Sequence, residues 1–209
     1  VASASSTPGT EVQFESAEVT QVSSTYDSTN NRIVVSYSDV GSSNDGTIAV
    51  GTVNASDNSI SFGTPVHYNS NVAITNNDVI HDSNSNKIVV SYTDHDNSFY
   101  GTAIVGTIDT SDNSISFGSP TVYESASTNS SSTNGITFDS NSNKVVIIYK
   151  DAGNSNYGTA VVGTVSGTSI SFGSAVVFES AFSLHMGATF DSSNNKVVIA
   201  YRDNGNSDY

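Results

Sequence analysis

The chain repeats itself. The segment Asp139-Ser-Asn-Ser-Asn-Lys-Val-Val-Ile-Ile-Tyr149 recurs at 82–92, at 191–201 and, with Arg in place of Lys, at 27–37. The closing tyrosines, at 37, 92, 149 and 201, stand 55, 57 and 52 residues apart. Two further blocks keep step. Gly-Thr-Ala-Val-Val-Gly-Thr at 158–164 returns with small changes at 46–52 and 101–107, and Ser-Ile-Ser-Phe-Gly occupies 59–63, 114–118 and 169–173. A period of about fifty residues belongs to propellers, solenoids and other arrays, in which each unit buries its apolar surface on its neighbours.

Composition narrows the class to all-β. There is no Cys and no Trp, Met186 is the one methionine, and Ser, Asn, Thr, Val and Gly dominate. Such a chain prefers strands and turns to helix. Apolar residues make up 35%, but they collect in short blocks separated by turn-forming residues, which indicates a folded protein. The absence of Cys excludes a disulfide framework and is silent on compartment. The net charge of −14 repels nucleic acid and anionic membranes and suits an extracellular or virion-surface setting. No apolar run approaches the ~20 residues of a membrane span, so no membrane insertion is expected. The chain opens at Val1 without Met or a signal peptide and reads as a mature product, an excised fragment or an incomplete sequence.

One repeat resolves into four strands. In the third, 135–139 forms strand A, 140–143 a turn rich in side chains that hydrogen-bond their own backbone, 144–150 strand B, 151–156 a loop and 157–165 strand C. A tight turn at 166–168 leads to strand D over 169–178, bent near Gly173, where a bulge fits. A longer connection then leads to the next repeat. Strand B (Val145-Val-Ile-Ile-Tyr149) lacks the polar alternation of a half-wet strand, so both its faces should be covered. Strand C is rich in small residues that allow close approach of neighbouring sheets. Four-stranded antiparallel sheets stacked face to face describe the blades of a propeller or propeller-like array. The expected division is a partial repeat over 1–16, repeats over 17–70, 71–125 and 126–180, and a partial repeat over 181–209. Residues 9–16 align with the end of strand D and Tyr209 with Tyr157, where strand C begins. The readings are a fragment of a longer array, which is favoured, a four-bladed ring lacking a strand, or a strand supplied by a neighbouring chain in a homo-oligomer.

The pattern Phe-Asp-Ser-x-x-Asn-Lys-Val-Val-Ile-x-Tyr-x-Asp-x-Gly-Asn-Ser-x-Tyr-Gly-Thr-Ala-Val-Val-Gly-Thr-Val, followed by Ser-Ile-Ser-Phe-Gly-Ser, resembles tandem repeats of tail-fibre and virion-surface proteins of marine phages, cyanophages especially. The resemblance covers nearly the whole chain, and it specifies a module and not a chemistry. It implies a β-propeller-like unit used for display or adhesion, whose partners would be host surface glycans or other virion or surface proteins. The loop Tyr149-x-Asp151-x-Gly153-x-Ser155 is also similar to the Asp-box of sialidase-type propellers. It departs from that box in its leading Tyr and in the position of Tyr157, and nothing catalytic carries over.

In such an array the B–C loops and D–A connections share one face, where longer and more variable segments gather. The candidate ligand residues are therefore Tyr100, Tyr157 and Tyr209, whose rings could stack on a pyranose, Asp94, Asp151 and Asp203 from the B–C loops, Glu124 and Glu179 from the D–A connections, and His185 from the least repetitive connection. Recurrence of the Asp in every repeat also fits a turn residue that accepts its own loop's N–H groups. No cofactor is expected, calcium excepted: hard cations take carboxylate oxygens, and Asp94 and Asp96 form the densest acidic pair. No histidine recurs at one position with metal-ligand spacing; His81 fills the slot of Tyr26, Phe138 and Phe190 and reads as core. No nucleophile motif or phosphate loop stands out. The expectation is a non-enzymatic structural or adhesive module. The alternative is a secreted propeller-type carbohydrate-active enzyme, glycoside hydrolase or lyase, which repeat-breaking acids or histidines would favour.

Overall fold

The computed structural model describes residues 9–128 and 134–206. Its strands are β1 (Val19–Asp27), β2 (Arg32–Asp39), β3 (Asp45–Asn54), β4 (Ser59–Phe62), β5 (Val66–Asp82), β6 (Lys87–Asp94), β7 (Tyr100–Asp109), β8 (Ser114–Phe117), β9 (Thr121–Ser127), β10 (Gly135–Asp139), β11 (Lys144–Asp151), β12 (Tyr157–Ser166), β13 (Ser169–Phe172), β14 (Val176–Asp191) and β15 (Lys196–Asp203). Helix among the described residues is limited to short 3₁₀ turns, as at Val40–Ser42 and Ala152–Asn154. Every strand pair is antiparallel. The strands form two sheets, one through β9 and one from β10 onward, and they do not close on themselves.

The A–B hairpins form where the turn chemistry puts them. Asp27 Oδ1 accepts the N–H groups of Thr29 and Asn30, and Asp82, Asp139 and Asp191 do the same in their own turns. Each turn closes on an asparagine in the left-handed region, Asn31, Asn86, Asn143 and Asn195, with φ between 54° and 57°. Asn tolerates that conformation better than other residues with a side chain.

Strand D differs from expectation. It is broken at residues 63–65, 118–120 and 173–175, so that β4, β8 and β13 pair with one half of strand C, and β5, β9 and β14 with the other. The connection to the next repeat is itself extended: β5 and β14 run from strand D of one repeat into strand A of the next, across the boundaries expected at 70/71 and 180/181. Left-handed residues interrupt these long strands, Asn71 and Asn76 in β5 and His185 in β14. Bulges at these points turn the chain from one repeat to the next. The connection after strand D of the second repeat is strand through Ser127, and residues 129–133 lie outside the described residues.

In β2, β6 and β11 strand B is covered on both faces, and its alternation separates two interfaces; β15 leaves one face exposed. In β11, Val145, Ile147 and Tyr149 join a buried cluster with Val89, Val105 and Tyr123 of the second repeat, while Val146 and Ile148 join one with Met186 of β14. In β6, Val90 and Tyr92 pack with Val34, Ile48 and Tyr68 of the first repeat. Val35 and Tyr37 of β2 pack on Phe14. Each cluster therefore lies between consecutive repeats, so a repeat cannot bury its apolar residues alone.

The closing tyrosines carry a repeated motif. Phe14–Tyr37, Tyr68–Tyr92, Tyr123–Tyr149 and Phe178–Tyr201 have ring centroids 5.2, 5.3, 5.2 and 5.3 Å apart. The small residues of strand C serve these rings. A Cβ on Gly46, Gly101 or Gly158 would lie 2.4, 2.4 or 2.6 Å from Tyr68, Tyr123 or Phe178, so each glycine of strand C is roofed by the aromatic of its own strand D. At the breaks in strand D, by contrast, glycine admits the next repeat's backbone. A Cβ on Gly63 would meet the carbonyl of Asn113 at 2.5 Å, and one on Gly118 that of Thr168 at 1.9 Å.

Beneath the aromatic pairs, two interface chemistries alternate as sets. Between the first and second repeats, Asn77 Nδ2 donates to Ser36 Oγ at 2.9 Å, and Ser36 Oγ donates to the Tyr68 hydroxyl at 3.3 Å. Between the second and third, the same slots hold Ser91, Tyr123 and Asn134, and Asn134 Nδ2 donates to the Tyr123 hydroxyl at 3.2 Å. At the next interface all three slots turn apolar together, to Ile148, Phe178 and Met186. A buried Asn without a partner is costly, which explains why the three positions change as a unit.

The A strands of successive repeats are tied by Asp78. One of its oxygens accepts from Ser23 Oγ of β1 at 2.5 Å and from Val79 N at 2.9 Å; the other accepts from Ile136 N of β10 at 3.2 Å. Ser, Gly and Gly stand in this slot elsewhere, at Ser23, Gly135 and Gly187. Burial pushes the Asp78 carboxyl above its ordinary pKa, against the pull of its hydrogen bonds.

Candidate ligand-binding face

The B–C loops and D–A connections do come together. Ile74 N donates to Asn44 O at 3.1 Å, Thr128 N to Phe99 O at 2.9 Å and Ser183 N to Asn156 O at 3.3 Å, one bond per repeat at one position. The aspartates of this face serve their own loops, and the glutamates also reach the next repeat. Asp94 accepts from Asn97 N at 3.3 Å, Asp151 from Asn154 N at 3.1 Å and Asp203 from Gly205 N at 2.7 Å. Glu124 takes the Tyr149 hydroxyl at 2.9 Å and Ala126 N at 2.8 Å, and Glu179 takes the Tyr201 hydroxyl at 2.8 Å. Burial foremost, and then the adjoining Glu124 carboxylate, push the Tyr149 hydroxyl far up, so it stays a donor. Asn69 occupies the Glu slot beside Tyr92, where burial likewise raises the phenol.

Tyr100 and Tyr157 stand half-buried at the starts of β7 and β12, each opposite a loop acid: Tyr100 pairs with Asp94 and Tyr157 with Asp151. An aromatic beside a carboxylate offers a stacking surface and a hydroxyl acceptor at one place. Asp203 lies at the end of β15, and Tyr209 is outside the described residues. His185 is exposed at the bulge in β14, in the slot of Gln21 and Asn76. Lys150 is nearly buried at the end of strand B, with Nζ 5.2 Å from the Phe182 ring centroid, and burial lowers its pKa. Asp94 and Asp96 do not gather a third ligand: among the described residues no three His, Cys, Asp or Glu side chains are placed to hold a metal ion.

His81 is buried in the A-strand slot, as its position implies, with Nε2 3.0 Å from Asp27 Oδ1 but out of line for a directed hydrogen bond. Sequence reasoning passed over two residues. Asp78 has no counterpart acid in the other repeats, and Phe99 stands where the other repeats have Asn44 and Asn156. The signal in the sequence was one departing residue in each slot, hidden among the recurring acids and aromatics. An open depression of about 290 Å³ is lined by Gln13, Phe14, Glu15, Ser16 and Pro65. Among the described residues no helix is long and apolar enough to cross a membrane. No protein-family model matches the chain, and no curated protein is significantly similar to it.

Proposed function

We propose that the chain is a non-enzymatic structural and adhesive repeat module of a virion fibre or cell-surface protein, and that it meets host glycans through its B–C loops. In this reading the four-stranded sheets are blades of a propeller-like array with the A strands innermost. The observation that carries it is where the recurring residues go. The closing tyrosines, the strand-C glycines and the Glu acceptors all serve the contact of one repeat with the next or with its own strands. The contacts of Asp78 with β1 and β10 support the inner position of the A strands.

A repeated binder gains avidity from many weak contacts, so near-uniform loops suit adhesion better than a single catalytic centre. The enzyme alternative would draw on repeat-breaking acids; Asp78, the clearest of these, is committed to three hydrogen bonds among the A strands. The test is a glycan array probed with the chain and with Tyr100→Ala plus Tyr157→Ala, alongside a reducing-end assay on polysaccharides. Binding that weakens in the double variant without turnover is the expected result. Polysaccharide cleavage by the purified chain would overturn the reading. Binding that survives the double variant but is lost on changing the 140–143 turn would place the site on the opposite face.

A further inference from the structure

The B–C loop of the second repeat departs from the chain's own rule at three positions. Residues 94–100 read Asp-His-Asp-Asn-Ser-Phe-Tyr, against Asp-Ala-Gly-Asn-Ser-Asn-Tyr at 151–157. The loop lacks the 3₁₀ turn found at Val40–Ser42 and Ala152–Asn154, but its end keeps the shared conformation. The last two loop positions are left-handed in every described case: Ser43 and Asn44 at φ 62° and 66°, Ser98 and Phe99 at 56° and 61°, Ser155 and Asn156 at 56° and 62°. The second of these residues also gives its carbonyl to the D–A connection in each repeat. The fold therefore imposes the left-handed conformation, and the side chain is the only free choice. Asn suits it; a bulky aromatic does not, and such strain persists where something else repays it.

Among the described residues, no buried cluster repays it. The Phe99 side chain is 37% exposed and belongs to none of the buried clusters. It is nonetheless held in place. The His95 ring meets it edge-on, centroids 4.7 Å apart at 60°. His95 is in turn pinned by its backbone N–H to Ala73 O at 3.2 Å and by Nε2 to Thr75 Oγ1 at 3.1 Å. Burial lowers the His95 pKa, which keeps that ring neutral against Phe99. The result is a pre-ordered aromatic surface at a loop tip. Exposed Asp96 is three residues before it, and the Asp94–Tyr100 pair closes the loop.

We propose that Phe99 is the stacking platform of a sugar subsite, with Asp94, Asp96 and Tyr100 binding the hydroxyls of a neutral hexose or N-acetylhexosamine. The proposal rests on the glycan-binding reading above and assigns its principal contact. The ligand class follows from the loop's chemistry. An aromatic face takes the apolar face of a pyranose, and carboxylates accept from hydroxyls. Residues 94–100 hold two acids and no cation, so uronic and sialic acids are repelled.

The test is binding of the intact chain to immobilised neutral and acidic oligosaccharides, comparing wild type with Phe99→Asn and, separately, Tyr157→Ala. Phe99→Asn restores the residue that the first and third repeats carry, so its denaturation midpoint should hold or rise. Its affinity for neutral sugars should fall about tenfold or more, as for loss of an aromatic anchor. Tyr157→Ala should cost less. Wild-type binding that survives Phe99→Asn overturns the subsite and leaves the glycan reading standing. A lowered midpoint in Phe99→Asn shows that the ring is a packing residue and also overturns it. Preference for acidic sugars overturns the ligand class. A wild-type chain that binds no oligosaccharide overturns both the reading and the subsite.

Discussion

Gly118 and Gly173 offer a controlled measurement of what stacking contributes. Both close the same local sequence, Ser-Ile-Ser-Phe-Gly-Ser, at 114–119 and 169–174, and neither has the positive φ that would penalise alanine by itself. They differ in what faces them. A Cβ on Gly118 would lie 1.9 Å from the Thr168 carbonyl oxygen and 2.9 Å from Thr168 Cβ, in the C–D turn of the next repeat; on Gly173 the nearest atom would be Val162 O at 3.8 Å. Non-bonded contacts are comfortable at about 3.5–4 Å, so Gly118→Ala must drive the turn back by more than about 1 Å against the packed interface behind it. Overpacking of this kind costs about 1–3 kcal/mol, and backbone yields less readily than a side chain. Gly173→Ala meets no such wall, and the lost freedom of the unfolded chain should stabilise it by about 0.4–1 kcal/mol. The two variants should therefore differ by roughly 1.5–4 kcal/mol in urea denaturation followed by circular dichroism. Gly63→Ala, at 2.5 Å from Asn113 O, should side with Gly118→Ala. Equal costs at Gly118 and Gly173 would refute the reasoning, because the penalty would then be local to the strand and not a property of the interface.

Other outcomes follow from the same contacts. Ile147→Ala, in the fully buried cluster between the second and third repeats, should cost about 2–5 kcal/mol by denaturant melt; a cost near zero would mean that strand B is not sandwiched. Asn134→Met alone should destabilise by about 1–3 kcal/mol because the Tyr123 hydroxyl loses its donor, and adding Tyr123→Phe and Ser91→Ile should recover most of that loss. Strictly additive effects in that series would show that the three positions do not form one unit. Asp78 binds its proton more tightly folded than unfolded, where its pKa is 3.8, so its charging opposes folding as pH rises from that value through the raised folded pKa. The wild-type chain should thus gain stability relative to Asp78→Asn as pH falls from about 7 to about 4, and a difference that ignores pH would show an ordinary carboxyl. The exposed turn acids run the other way: hydrogen bonds hold Asp139 and Asp191 below their usual range, and what they contribute is lost at still lower pH.

Much of this architecture was legible because its causes are local. The A–B turns could be read from Asp139 and Asn143 and their equivalents, since an Asp that caps its own turn and an Asn at positive φ act within five residues. The unbroken apolar run Val145–Tyr149 announced two covered faces, because a half-wet strand must alternate. What the run could not say is that Val146 faces Met186 while Ile147 faces Val89, a choice made by how the sheets stack. The continuity of strand D into strand A was also hidden. Polar residues such as those at 69–77 read as a loop, yet they are extended in β5, with bulges at left-handed asparagines. Repetition itself masked the distinctive residues. Asp78 looked like one more acid until its oxygens were seen to join three A strands, and Phe99 like one more aromatic until its backbone proved to be one that Asn prefers. The sequence alone determined the unit, its strands B and C and its turns, since those depend on neighbours along the chain. Only the tertiary structure decided which residues of one unit meet which of the next, since those pairs lie a full period apart and share no local signal.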